Sequence, residues 1–388
     1  MKRIYLDYNA TTPLSSEVKD FYITQLEKYA NGSSLHEDGR IVSKDIEKAR
    51  SQIASLVNAD ATEIIFTSGG SESNNTVFNT LPELAKKTGR SVVVTTAIEH
   101  PCILESSKRL ENQFGLEVIY LPVDETGLVK MDSYEEALKK NPLLVSIMTA
   151  NNEIGTIQNI KQLCEMAHNV GALFHTDAVQ AVGKIPVDLK DWNVDYATFS
   201  GHKIYAPKGI GALFVKKGAP IEPFIRGGHQ ENGFRAGTYN GPAIAAYGLA
   251  AELAKKELLE YGKKTLELRN RLKDGLLKAI PDIKINGHPE KVLPNTLDVS
   301  FSGAEGEAIL LHLDLMGVSA STGSACASAS LDPSHVLMAI GLGPELAHGS
   351  IRFSFGKYST KEDVDYVLEH FPPVIERLRK MSTVSSKR

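Results

Sequence analysis

Between Glu63 and Val215 the chain settles into one rhythm: short apolar runs alternate with segments of helical length, and nearly every run stops at a polar cluster. The runs are Ile64 to Thr67, Val92 to Thr95, Val118 to Leu121, Leu143 to Thr149, Ala172 to Thr176 and Tyr196 to Phe199. Gly211 to Val215 follows as a hairpin-like return after Pro207-Lys208-Gly209. Runs that are apolar on both faces suit a sheet covered on both sides, and helix-length connections make neighbouring strands parallel. The pattern therefore predicts an α/β fold with a mostly parallel sheet between helices. No internal repeat is present, which removes solenoids and propellers.

In open α/β sheets, ligands bind beyond the carboxyl ends of the strands. Those ends carry Gly70 and Ser71, His100, Asn152, Asp177 and Gln180, and Ser200, His202 and Lys203. Loops that merely join elements need no such residues. The Ser68-Gly69-Gly70-Ser71 turn opens a helix, and a helix N-terminus is a phosphate cradle. An ordinary capped turn accounts for the same four residues. The turn is neither a dinucleotide fingerprint nor a Walker loop, because the spacing and the lysine are missing. Lys203 taken alone reads as a solvated loop lysine.

The remainder of the chain frames this region. Ile4-Tyr5-Leu6 is a short strand entering the polar turn Asp7 to Pro13, followed by helices over Ser15 to about Tyr29 and about Arg40 to Val57. Gly227 to Thr238 is a glycine-rich charged loop, and a long helix from about Pro242 to Leu277, with a break near Tyr261-Gly262, leaves the region. Strands are expected at Thr296 to Ser300 and Ile351 to Ser354. At 388 residues the chain exceeds one compact core, so a large domain over 15–255 and a small one from 1–14 and 256–380 are expected. The polar segment 381–388 is expected to be a disordered tail.

A net charge of −4 gives no reason to expect nucleic acid or a membrane as partner. No apolar run approaches the roughly 18 residues that span a bilayer, and the N-terminus is too polar for a signal peptide. A cytoplasmic location is the default expectation. The three cysteines, Cys102, Cys164 and Cys326, form no CxxC pair. They are too few and too scattered for a disulfide framework, and a metal site made by this chain alone is not expected.

A phosphate cradle, an acid, a lysine and an aromatic face serve one cofactor together. Pyridoxal phosphate needs a lysine for its aldehyde and an acid opposite its pyridine nitrogen. Lys203, Asp177, His100 and the turn Ser68 to Ser71 are the candidates. Cys326 stands apart from them. A lone cysteine is usually a small buried hydrophobe, yet Ser319 to Ser330 is nearly all small and polar, a poor core segment and a good loop. A free thiol ordinarily titrates near 8.5, so an exposed one has some thiolate at neutral pH. Cys102 and Cys164 read as structural, with Cys102 two positions from His100.

Five segments carry a resemblance: Thr67 to Asn75, Asn151-Asn152-Glu153-Ile154-Gly155, His175 to Gln180, Ser200-Gly201-His202-Lys203, and Ser321 to Ser328. Over nearly its whole length the chain resembles the NifS/IscS-like cysteine desulfurases, pyridoxal phosphate enzymes of the class V aminotransferase type. The resemblance implies a fold-type I transferase: a large domain around a mostly parallel seven-stranded sheet, and a smaller α+β C-terminal domain. It implies that Lys203 holds the cofactor, Asp177 faces its pyridine nitrogen, Gln180 its phenolic oxygen, and His100 stacks on its ring. Gly70, Ser71, Ser200 and His202 would hold the phosphate, Ser71 standing where the family usually has Thr. Thr238 would reach the phosphate of a neighbouring subunit in a homodimer. Asn152 and Arg352 would take the substrate carboxylate.

The implied reaction removes sulfur from L-cysteine, leaving alanine and a persulfide on Cys326, with His100 as proton shuttle. The sulfur would pass to an acceptor protein, an iron–sulfur scaffold or a tRNA-thiolation carrier. No resident metal is implied, though Cys326 could hold a passing iron–sulfur cluster. Selenocysteine lyase and a class V aminotransferase share the cofactor constellation, and a non-catalytic sulfur carrier would use Cys326 alone.

Overall fold

The computed structural model describes residues 3–322 and 332–381. The expectations for Cys326 and for the tail beyond Met381 lie outside these residues. A two-residue strand, β1 (Ile4–Tyr5), leads through the polar turn to helices α1 (Ser16–Leu26) and α2 (Glu37–Leu56). Ser15 caps α1 by accepting from the Val18 amide. The second helix starts earlier than its apolar spacing suggests, because the His36 ring accepts from the Gly39 amide and caps it. The alternating region follows as β2 (Ile64–Thr67), α3 (Gly70–Thr88), β3 (Val92–Thr96), α4 (Pro101–Phe114), β4 (Glu117–Leu121) and α5 (Met131–Leu138). It continues with β5 (Leu144–Ser146), α6 (Ile160–Asn169), β6 (Leu173–Asp177), α7 (Leu189–Trp192), β7 (Tyr196–Ser200) and β8 (Gly211–Val215).

These strands form one seven-stranded sheet in the order β2-β8-β7-β6-β5-β3-β4. β8 runs antiparallel to both neighbours, and the other pairs are parallel. Every residue of Val92–Thr96 is buried, as expected of a strand with helices over both faces. The run expected to Thr149 is assigned as strand only to Ser146. Even so, Ile147 and Thr149 still donate to the carbonyls of His175 and Asp177, so the backbone pairing extends to the site.

Helix α8 (Gly241–Ala279) is continuous over 39 residues, about 58 Å at 1.5 Å per residue. The break expected at Tyr261-Gly262 is absent. A glycine inside a helix costs only about 1 kcal/mol, and both halves of α8 are buried: Ala243 to Ala251 in the core around the sheet, and Leu268, Leu272 and Leu276 in a second core. At Gly248 a Cβ would lie 2.5 Å from the Ala49 Cα, so α2 and α8 cross at a distance only glycine permits.

The second core gathers β9 (Ile283–Asn286), β10 (Thr296–Phe301), α9 (Gly306–Leu315), β11 (Val318–Ser319) and β12 (Ser350–Ser354). β9 escaped the sequence reading, being four residues long with a polar residue at every second position. An antiparallel sheet, β12-β10-β9, forms its floor, while β1 pairs in parallel with β11. Ile4 and Leu6 are thereby buried among residues from the far end of the chain. No helix among the described residues is long and apolar enough to cross a membrane.

Candidate active site

A cavity of about 410 Å³ opens beyond the carboxyl ends of the central strands and reaches the second core. Ten of the residues singled out from the sequence line it: Gly70, Ser71, His100, Asn152, Asp177, Gln180, Ser200, His202, Lys203 and Arg352. Thr238 does not; it is exposed on the glycine-rich loop.

Lys203 ends the 3₁₀ turn Gly201–Lys203 that follows β7. Its Nζ donates to the main-chain oxygen of Asn9 and, at 2.8 Å, to that of Ala10. The N-terminal turn is held in place from the same side: Thr12 donates twice to the His202 carbonyl, and Thr11 Oγ1 lies 3.1 Å from His202 Nδ1. Burial, with Lys203 adding to it, pushes the His202 ring down to about 4, so it stays neutral.

Asp177 closes β6 with both carboxylate oxygens engaged. Oδ2 accepts from Asn74 at 2.7 Å and Oδ1 from the Val179 amide at 3.0 Å. A carboxylate fixed in this way is an aimed acid rather than a mobile one. Beneath it His175 is fully buried, and burial alone pushes its ring down to about 3. That histidine is a core residue. At the start of α3, a Cβ on Gly70 would meet Val179 at 2.9 Å. The first turn of a 19-residue helix is thus pressed against the Asp177 loop. The Ser68 amide is spent on Glu72, which in turn pairs with Arg235 of the glycine-rich loop at 2.9 Å.

His100 caps α4, its Nδ1 accepting from the Cys102 amide at 3.3 Å. Burial lowers the ring's pKa, Asp177 opposing and Lys203 assisting. A neutral ring that accepts at Nδ1 carries its proton on Nε2. The Cys102 thiol lies 3.0 Å from the same Nδ1, and burial pushes it up to about 12. It stays a thiol beside the ring, and Cys102 lines the cavity. Cys164 is buried in the core around the sheet.

Arg352 rises from β12. Its Nη1 donates to the Asn152 carbonyl at 3.0 Å and its Nη2 to Asp7 Oδ1 at 2.9 Å. Ser321 pairs with the Arg352 backbone in both directions, at 3.2 and 2.7 Å, and also lines the cavity.

Sequence reasoning missed four residues here. Asn9 is buried and central: its side chain donates to Thr296 and Asn152 and accepts from Asn295 and Lys184. Gln180 also donates to the Asn9 carbonyl, at 3.0 Å. Lys184, with 3% exposure, donates to Gln180 Oε1 as well as to Asn9. It follows Gln180 by four positions within the turns after β6, where no helix gives the spacing a meaning. Asn74 stands three positions after Ser71, on the same face of α3. Asp7 sits in the polar turn, and its carboxylate is held by Arg352, 345 positions away.

Comparisons with known proteins agree with one another. The model of the family described as aminotransferase class-V matches residues 4–367. A relative from Trichormus variabilis named cysteine desulfurase 2 is 48% identical over 387 residues, covering 100% of this chain and 96% of the relative. One from Dictyoglomus turgidum named cysteine desulfurase IscS is 49% identical over 384 residues, covering 98% and 97%. A solved structure described as a NifS-like protein aligns with a TM-score of 0.91 at 39% identity, covering 97% of this chain and 100% of that one.

Proposed function

This chain belongs to the class V aminotransferase family and, with its full-length relatives, is a cysteine desulfurase; we propose that it works with pyridoxal 5'-phosphate in the cavity at Lys203. The residues present fit that group. The cavity has the size of a cofactor site, and an amine, a fixed carboxylate and the N-terminus of α3 border it. When bound, the cofactor supplies an electron sink for the pair released at the substrate's Cα.

In this reading, Lys203 holds the cofactor and afterwards takes and returns the Cα proton. Asp177 serves the pyridine nitrogen, Gln180 the phenolic oxygen, and His100 covers the ring. Gly70, Ser71, Ser200 and His202 hold the phosphate, and the exposed Thr238 serves that of a second copy, making the enzyme a homodimer. Asn152 and Arg352 hold the carboxylate of L-cysteine. The thiolate of Cys326 attacks the substrate sulfur. The S–S bond forms as the Cβ–S bond breaks, the electron pair stays on carbon and takes a proton, and alanine leaves. His100, neutral with its proton on Nε2, moves the thiol protons.

Covalent geometry keeps Cys326 within about 18 Å of Ser321, and Ser321 lines the cavity. The persulfide then passes to an acceptor protein for iron–sulfur assembly or tRNA thiolation. A reducing cytoplasm suits the free thiols of Cys102 and Cys164. The two cores support a large domain over 15–255 and a small one from 1–14 and 256–380.

The observation that carries this reading is the meeting of Lys203, Asp177, His100 and Arg352 around one cavity. Incubation with L-cysteine tests it: stoichiometric alanine release that disappears in Cys326→Ser is expected. A transaminase needs no thiol, so turnover unaffected by that substitution would favour the aminotransferase reading instead.

A further inference from the structure

Arg352 is 3% exposed, and its guanidinium is only partly satisfied. Nη1 is committed to the Asn152 carbonyl and Nη2 to Asp7, while Nε has no hydrogen-bond partner among the described residues. A guanidinium binds a carboxylate best through two parallel N–H groups. Here the Nε–Nη2 edge has one donor held by Asp7 and one left over. That is the grip of a clamp closed on a single oxygen.

Two other carboxyl groups stand close by and do not take the vacant donor. Asp298 lies opposite Arg352 in the β10–β12 register, yet its Oδ1 accepts from Asn286 and its Oδ2 has no partner among the described residues. Glu153 accepts from Ser334. Among the described residues, Asp7 is the one carboxylate in contact with the guanidinium. It is also the more accessible partner, its side chain 18% exposed against 4% for Arg352. The main chain of Asp7 is fixed, with its carbonyl accepting from Tyr5 Oη and the Ala10 amide. A carboxylate on such an anchor moves by rotating about its own side-chain bonds, leaving the backbone in place.

We propose that Asp7 is a built-in competitor for the substrate's carboxylate, seated on Arg352 in the substrate-free enzyme and displaced when an α-amino acid binds. It would balance the arginine while the site is empty, sparing the protein a buried, uncompensated charge. It would also weaken binding of carboxylate ligands relative to the bare clamp, so Asp7 is a residue that sets affinity and specificity. The inference rests on the reading of Arg352 as the substrate's carboxylate partner.

The test uses the full-length holoenzyme and L-alanine, a carboxylate ligand with no sulfur to transfer, titrated through the change in cofactor absorbance. Asp7→Asn, nearly isosteric, is expected to bind L-alanine about two- to fivefold more tightly, the scale of one lost ion pair. Ethylamine, which lacks the carboxylate, is expected to bind both proteins alike. Arg352→Gln should weaken L-alanine at least tenfold and leave ethylamine unchanged. Unchanged or weaker L-alanine binding in Asp7→Asn, or equal tightening of both ligands, would overturn the competitor role while leaving the arginine's role standing. No effect in Arg352→Gln would overturn the underlying reading. Asp7→Ser repeats the measurement with a smaller side chain should the asparagine variant fold poorly.

Discussion

Lys203 and Asn9 meet at a carbonyl: the Nζ of the lysine donates to the main-chain oxygen of a residue 194 positions earlier. The amine at the end of the central sheet is thereby seated on the N-terminal turn, and that turn is fastened to the second core through Asn295 and Thr296. The site is built across two cores, and Asn9 is the pin between them.

Replacing Asn9 by Ala should therefore cost stability more than its size suggests. Its side chain gives up four hydrogen bonds, with Asn152, Thr296, Lys184 and Asn295, each worth about 0.5–1.5 kcal/mol net, while Lys184 and Asn295 keep their second acceptors, Gln180 and the Phe355 carbonyl. A loss of about 2–4 kcal/mol is expected in denaturant unfolding of the cofactor-free protein. A loss below about 0.5 kcal/mol would mean that the turn is held by its backbone alone.

Lys184 makes a prediction with a sign. Burial, with Lys203 and Arg352 adding to it, holds its pKa well below the ordinary 10.5. Between that lowered value and 10.5, the unfolded chain binds a proton that the folded protein does not. Folding stability contributed by this group therefore rises with pH across that window. Lys184→Met removes the group, so the variant's stability should rise less steeply than the wild type's as pH approaches 10.5. Urea midpoints collected across alkaline pH would reveal it, and parallel curves would contradict the buried-lysine account.

His100 should govern the acid side of catalysis. Its ring is held below the usual 6.5 by burial, against the opposing pull of Asp177. In the proposed reaction the neutral form shuttles protons, so the acid limb of kcat/KM should lie below pH 6.5. His100→Gln should slow alanine release by about 10²–10⁴-fold, the range for losing an acid–base group, and should abolish that limb while the cofactor stays bound. A profile unmoved in the variant would assign the limb to another group.

Much of this site is legible in the sequence. Parallel strands write themselves as unbroken apolar runs, and the residues that stop those runs, Asp177 and Lys203 among them, border the cavity. Asn74 was readable in principle, one helical turn from Ser71 on α3, whereas Lys184 lies in the turns after β6, where no periodicity marks it. Asp7 and Asn9 were not readable either. Their partners, Arg352 and Asn295, lie 345 and 286 positions away, and such pairings arise only once β1 joins β11. The supposed break in α8 failed for a related reason: Gly262 weakens a helix locally, but burial in two cores at its two ends holds it straight through.

The central claim is a division of labour, Lys203 opening the substrate and Cys326 collecting its sulfur. Cofactor absorbance and protein-bound persulfide, measured side by side in Lys203→Ala and Cys326→Ala after addition of L-cysteine, test it directly. Lys203→Ala should lose the visible absorbance of the lysine-bound cofactor together with all alanine release. Cys326→Ala should keep that absorbance and form no persulfide. Loss of the cofactor signal from both variants, or persulfide persisting in Cys326→Ala, would contradict the account.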